Sequence, residues 1–102
     1  MGAGETPASH SSGEADIVTL IKPQFEAGRK DVGKGGVVKD PAVHRRVLAK
    51  VISQAADEGL TLRGLIRSPL LGPAGNVEFL AWFSPGVTPI EMEDAIRAVV
   101  SE

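Results

Sequence analysis

The sequence predicts a mixed α/β fold that forms half of a larger domain. Ile17–Ile21 is a continuous run of β-branched and aliphatic residues, typical of a strand that is covered on both faces. A long stripe of apolar residues at helical spacing follows, and after it come two further strand-like runs and a second helical stripe. The predicted order is β–loop–α–β–β–α, with the last two strands antiparallel. Because three strands make a thin sheet, and nothing before the first strand could pair with it, we expect a partial sheet.

Length and composition limit the domain organisation and the class of protein. The chain has 102 residues, enough for one small domain. Residues 1–15 carry no large apolar side chain after Met1, so we predict a disordered leader or tag there and a folded part at 16–102. No apolar run approaches the roughly 20 residues that span a bilayer. Without cysteine, and with neither histidine near a second ligand, no disulfide or metal site is predicted, and we expect a cytoplasmic protein.

The first strand is followed by a long loop and then by the clearest helix of the chain. Pro23 lacks a backbone donor and should end the strand. Gln24–Lys39 is rich in glycine and charge, which indicates an irregular connection. Asp40 as N-cap and Pro41 at the first helical position then begin a helix, which Gly59 ends.

The second half of the chain contains the other two strands and the last helix. Leu60–Ser68 is predicted as a strand in which Leu62 and Ile66 share one face. Turn residues separate it from a third strand, Val77–Phe83. Thr88–Glu91 is a capping box with proline at the first helical position, and it predicts the start of the second helix.

The net charge of −2 conceals a basic segment between positions 29 and 50. A local basic stretch within a neutral domain suits contact with phosphate groups. An ordinary solvated loop and helix face would explain the charge equally well. The basic residues of this segment are Arg29, Lys30, Lys34, Lys39, Arg45, Arg46 and Lys50.

The segment Gly28–Gly35 nearly matches the phosphate-binding pattern G-x-x-x-x-G-K-[ST]. Gly35 stands where the pattern requires a hydroxyl for magnesium, and no helix is predicted to begin there. The sequence therefore argues against nucleotide hydrolysis.

Two charged residues occupy positions that are unusual for ordinary surface groups. Lys22 lies at the end of the first strand, an edge where open α/β sheets bind ligands. Glu78 lies within an apolar run, where its face-mates Leu80 and Trp82 offer poor surroundings for a solvated carboxylate. Lys22 could instead be an ordinary solvated residue, and Glu78 could be a strand glutamate that points to water from an exposed face. Position alone does not decide between these interpretations.

Two runs resemble the C-terminal part of the hemolysin A (TlyA) family, which are FtsJ-like ribosomal RNA 2′-O-methyltransferases. The runs are LIKPQFEAGRKDVGKGGVVKDPAVH at Leu20–His44 and SPLLGPAGNVEF at Ser68–Phe79. The resemblance implies a partial Rossmann-like methyltransferase sheet, with residues 16–102 as the C-terminal half of the domain. It also implies S-adenosylmethionine as cofactor, and ribosomal RNA or a ribosomal subunit as partner.

The family's catalytic set is Lys-Asp-Lys-Glu, and two of its members match this sequence. The second lysine lies in the KPQFE motif and corresponds to Lys22, and the glutamate lies in the GNVEF motif and corresponds to Glu78. The resemblance implies that Lys22 accepts or steers the proton of a ribose 2′-hydroxyl, and that Glu78 holds the lysine. On the same basis Arg29, Lys30, Lys34 and Lys39 would contact RNA phosphates.

The first lysine, the aspartate and the glycine-rich cofactor loop of the family belong upstream of Ile17. Since only the small polar leader stands there, we expect this chain to be inactive alone and to require the upstream half of the domain as partner. An exposed first strand would also allow self-association. A non-catalytic RNA- or protein-binding module is the alternative function, and a structural remnant that assembles with another chain is a third.

Overall fold

A computed structural model describes residues 16–86 and 90–100. The elements are β1 (Ile17–Ile21), α1 (Pro23–Glu26), α2 (Pro41–Asp57), β2 (Leu60–Arg67), β3 (Phe79–Pro85) and α3 (Met92–Val100). Short 3₁₀ turns lie in the loops at Arg29–Asp31, Lys34–Gly36 and Pro73–Gly75. The predicted leader at 1–15, and Thr88 and Pro89 of the predicted capping box, lie outside the described residues.

The three strands form one sheet in the order β1-β3-β2, and β3 is antiparallel to both neighbours. The predicted α/β class and the antiparallel pairing of the last two strands are therefore confirmed. Because both outer strands oppose β3, β1 and β2 run in the same direction, and α2 connects them. The last pair of β1 and β3 is Ile21 with Phe79, which brings the ends of these two strands together.

One face of the sheet is covered by α2 and α3, which pack against each other and against β2. Apolar residues at helical spacing on both helices meet alternate residues of the strands. The buried apolar core consists of Ile21, Val38, Val43, Val47, Leu48, Ile52, Leu62, Phe79, Ala81, Phe83, Ile96, Val99 and Val100.

Helix α2 begins and ends where the sequence predicts. The Asp40 side chain accepts a hydrogen bond of 2.9 Å from the backbone N–H of Ala42, and Pro41 occupies the first turn. Gly59 follows the helix with a φ of 81°, a left-handed conformation that favours glycine. The strand β1 also has the predicted bounds, since Pro23 begins a new helical turn directly after it.

The predicted start of β3 is wrong by two residues. The strand begins at Phe79 rather than Val77, so Glu78 precedes the strand instead of lying within it. The loop before it continues to Asn76 through a 3₁₀ turn, whose Ala74 and Gly75 have φ values of 57° and 84°. The loop thus continues into residues that the hydrophobic pattern assigns to the strand.

The predicted face of β2 is also wrong. The register shifts between Leu62 and Gly64, as in a β-bulge. Leu62 is consequently buried under the helices, whereas Ile66 is 54% exposed on the opposite face. Gly64 permits this irregularity beside the ring of Trp82, since an added Cβ would lie 3.4 Å from that ring.

The second face of the sheet is open in the described part of the chain. Val18 is 67% exposed and Leu20 is 44% exposed, although the sequence predicts that β1 is covered on both faces. A shallow depression of about 480 Å³ on this face is lined by Val18, Gly64, Ile66, Leu80 and Trp82. No helix in the described ranges is long and apolar enough to cross a membrane.

Candidate functional site

Lys22 lies at the junction between β1 and α1. Its backbone is extended, with φ −115° and ψ 96°, and its carbonyl oxygen accepts from Phe25 N at 2.9 Å. The buried Pro23 fixes the first turn of α1, so the chain reverses directly after the strand. The Lys22 ammonium lies over the exposed ring of Phe25, 5.7 Å from its centroid. The lysine is thus held at the strand end by a weak surface contact.

Glu78 lies directly before the start of β3, next to the end of β1 that carries Lys22. Since Ile21 pairs with Phe79, the antiparallel register places Lys22 and Glu78 one step beyond the last pair. The Glu78 side chain is 6% exposed, and its Oε2 accepts a hydrogen bond of 2.7 Å from Gln24 Nε2. The structure therefore brings the two residues that the sequence singles out to one edge of the sheet.

The backbone of Gly72 lies directly against the Glu78 carboxylate. A Cβ added at Gly72 would lie 2.0 Å from Glu78 Oε2, far inside van der Waals contact. The Gly72 backbone has φ −82° and ψ −165°, an extended conformation that any residue can adopt. A side chain here would displace the Glu78 carboxylate from its present position.

Asn76 connects the loop before Glu78 to the basic loop, which consists of residues 29–39. It is 1% exposed, and its Oδ1 accepts from Val38 N at 2.9 Å. Its Nδ2 donates to Gly36 O at 2.8 Å and to Pro73 O at 3.0 Å. One buried amide thus joins the end of the basic loop to the turn that precedes Glu78.

The match to a family model covers residues 2–84, and that model describes the FtsJ-like methyltransferases. The chain belongs to the FtsJ-like methyltransferase family. This match spans the KPQFE motif with Lys22, the basic loop and the GNVEF motif with Glu78, so the resemblance that the two sequence runs indicate is confirmed.

Relatives of this FtsJ-like chain include proteins named as ribosomal RNA methyltransferases. It is 48% identical to the "Putative rRNA methyltransferase YqxC" of Bacillus subtilis, over 86% of this chain and 33% of that protein. It is 42% identical to the "16S/23S rRNA (cytidine-2'-O)-methyltransferase TlyA" of Mycobacterium tuberculosis, over 90% of this chain and 36% of that protein. The solved structure "Putative hemolysin from Streptococcus thermophilus" matches with a TM-score of 0.79 and 38% identity, over 88% of this chain and 33% of that one. The chain thus spans about a third of these relatives.

The basic loop of the FtsJ-like chain is exposed and ordered by its own contacts. Two 3₁₀ turns shape it, and Gly33 N donates to Val37 O at 2.8 Å. Asp31 pairs with Arg46 of α2. Among the described residues no carboxylate pairs with the four predicted RNA-contacting side chains, which are all exposed: Arg29, Lys30, Lys34 and Lys39. A positive surface is therefore available beside the Lys22–Glu78 edge of the domain.

Sequence reasoning missed three residues that build the site. Gln24 holds Glu78, Gly72 leaves room for its carboxylate, and Asn76 ties the two loops together. Gly72 and Asn76 lie in a segment whose composition indicates only turns. Their positions inside the runs that resemble the family were the available indication of a role.

His44 lies under the basic loop and makes stability depend on pH. Its Nε2–H donates to Val38 O at 3.0 Å, and its ring packs edge-on against Phe79 at 5.6 Å. Burial lowers the pKa of His44 below 6.5, and the charge of Arg67 lowers this pKa further. The hydrogen bond to Val38 and the charge of Asp40 raise it, but by less. Since the unfolded chain binds this proton more tightly, stability from His44 is present above pH 6.5 and is lost as the pH falls below it.

We expect the free energy of unfolding to fall between about pH 7 and about pH 5, and to fall less in His44→Gln. Urea unfolding at a series of pH values measures this difference. An equally steep decline in His44→Gln would show that another group carries the pH dependence.

Proposed function

We propose that this chain is the C-terminal segment of an S-adenosylmethionine-dependent ribosomal RNA 2′-O-methyltransferase. The observation that supports the proposal is the register of β1 and β3, because its last pair, Ile21 with Phe79, adjoins Lys22 and Glu78 in a chain of this family. A ribosomal substrate also implies that the complete protein acts in the cytoplasm. Because the chain spans a third of its relatives, the activity belongs to the complete protein.

The roles of the two residues follow from the chemistry of a ribose hydroxyl. A 2′-hydroxyl is a weak nucleophile and must lose its proton as its oxygen is methylated. A neutral Lys22 amine would accept that proton at Nζ, and the Glu78 carboxylate would stabilise the ammonium that forms. A second lysine from the upstream part, as the family resemblance implies, would favour the neutral amine of Lys22 before reaction.

The described residues do not by themselves fit S-adenosylmethionine. Depressions of about 280, 380 and 480 Å³ lie on their surface, and none of the three has Lys22, Gln24 or Glu78 in its lining. The methyl donor would be held by the upstream half of the domain, which is proposed as the partner of this segment. This segment would supply the proton acceptor and the RNA contacts.

A methyl-transfer assay tests this function. The chain alone, and the complete protein that includes the upstream half, would be incubated with labelled S-adenosylmethionine and ribosomal subunits. We expect incorporation only with the complete protein, at a ribose whose 3′ linkage becomes resistant to alkali because its 2′-oxygen is blocked. Incorporation into a base, or none with the complete protein, would contradict the proposal.

The exposed basic loop favours a second candidate, a non-catalytic RNA-binding module. Phosphate contacts made by its cations need neither a methyl donor nor a proton acceptor, so the loop would bind RNA without the Lys22–Glu78 edge. RNA binding by the complete protein without any methyl transfer would favour this alternative.

Replacing both Lys30 and Lys34 by alanine is expected to weaken RNA binding and to reduce its salt dependence. Each phosphate contact contributes about 0.7 to 0.9 to the slope of log K against log salt, so two lost contacts should lower it by about 1 to 2. Fluorescence anisotropy of an rRNA fragment over a salt series measures the slope. Arg97→Ala, on the exposed surface of α3 and outside the basic segment, is the control and should leave it unchanged. An unaltered slope in the double variant would remove the loop from the RNA interface.

A further inference from the structure

Gln24 is hydrogen-bonded to Glu78 and has one hydrogen-bonding group unused. Its Nε2 donates to Glu78 Oε2 at 2.7 Å. Its Oε1 is buried and has no hydrogen-bond partner among the described residues. The amide cannot be turned round, because its oxygen would then face the Glu78 carboxylate, which has no proton to donate when ionised.

An unused buried carbonyl oxygen lowers the stability of the fold, so native structures usually satisfy it. The missing partner must be a donor that reaches the Lys22–Glu78 edge. Lys22 is two residues away in the same motif, and within the described residues its ammonium contacts the exposed ring of Phe25, 5.7 Å from the centroid. Leaving that ring would require little free energy.

We propose that Gln24 is a positioning residue that holds both Glu78 and Lys22 in the working site. With Gln24 Nε2 on the carboxylate, Lys22 leaves Phe25 and donates one N–H to Gln24 Oε1 and another to Glu78. A neutral amine has two N–H groups and one lone pair. When both N–H groups are hydrogen-bonded, the lone pair is left to accept the proton of the ribose 2′-hydroxyl. This inference rests on the proposed function and adds the residue that orients its proton acceptor.

Gln24→Met in the complete protein tests the inference, because methionine keeps the length of the side chain and removes both hydrogen-bonding groups. We expect kcat for methyl transfer to fall about ten- to a hundredfold, with KM for RNA nearly unchanged. The rising limb of the kcat–pH profile should move to lower pH, since an acceptor that stabilises the ammonium form of Lys22 is lost. Gln54→Met, on the exposed surface of α2, is the matched control and should leave both unchanged.

A second variant keeps the test informative if Gln24→Met fails to fold. Gln24→Glu keeps an oxygen beside Lys22 and adds negative charge, which favours the ammonium, so the rising limb should move to higher pH. Opposite shifts in the two variants would not arise from a structural role alone. If the wild-type protein methylates RNA and neither variant changes kcat or the pH profile, the inference is wrong and the proposed function stands. If the wild-type protein transfers no methyl group to RNA, the proposed function itself fails.

Discussion

Lys22→Ala in the complete protein is expected to abolish measurable methyl transfer, with kcat lowered about 10²- to 10⁴-fold, the usual contribution of a general base. Folding should be unaffected, because the described contact of the Lys22 ammonium is with the exposed Phe25 ring. RNA binding should persist, since the basic loop is a separate surface. Single-turnover methyl transfer at saturating RNA measures the chemical step directly.

Lys39→Ala is the matched control for this experiment, because it removes a lysine from the proposed RNA surface and not from the strand end. Its effect should appear in KM for RNA and should leave kcat largely intact. Near-normal turnover by Lys22→Ala, with the same fold by circular dichroism, would show that Lys22 is not the proton acceptor.

The elements that the sequence predicts correctly are those with strong local causes. Pro23 ends β1 because it cannot continue the ladder, and Asp40-Pro41 begins α2 because the carboxylate and the ring satisfy the first turn. The edge that carries Lys22 and Glu78 could be predicted from motifs, although only the register of β1 and β3 shows that they stand opposite each other.

The elements that the sequence does not predict depend on contacts between distant segments. The shifted start of β3 and the bulge in β2 arise from loop geometry and from pairing across strands, which hydrophobic alternation does not contain. Gln24 meets Glu78 only because α1 turns back beside β3. The amide was indistinguishable in the sequence from a polar residue of a surface loop.

The open face of the sheet agrees with the proposed division of the domain. Apolar residues of β1 and β3, among them Val18 and Trp82, remain exposed opposite the helices. Exposed apolar residues gathered on one sheet face usually mark a surface that packs against another element, so this face is where an upstream half would pack. The predicted self-association through the exposed first strand, β1, stays a prediction.

Gly72→Ala is expected to disturb the site by displacing Glu78. The new Cβ would lie 2.0 Å from Glu78 Oε2 and 2.5 Å from its Cδ, while the backbone conformation suits alanine. The carboxylate must therefore move and break its bond to Gln24, at a cost of about 1 to 3 kcal/mol in the free energy of unfolding. Methyl transfer by the complete protein should fall about as far as in Glu78→Ala.

A double-mutant cycle separates this mechanism from a general effect of an added methyl group. In a Glu78→Ala background the atoms that clash are gone, so Gly72→Ala should become nearly neutral, which gives a coupling energy of about 1 to 3 kcal/mol. Gly28→Ala is the control: its Cβ would lie 4.0 Å from Asp31 Oδ2, an ordinary contact, and its stability should change little. Additive effects of Gly72→Ala and Glu78→Ala, in urea unfolding and in methyl transfer, would mean that Gly72 acts through the loop backbone and not through the position of the carboxylate.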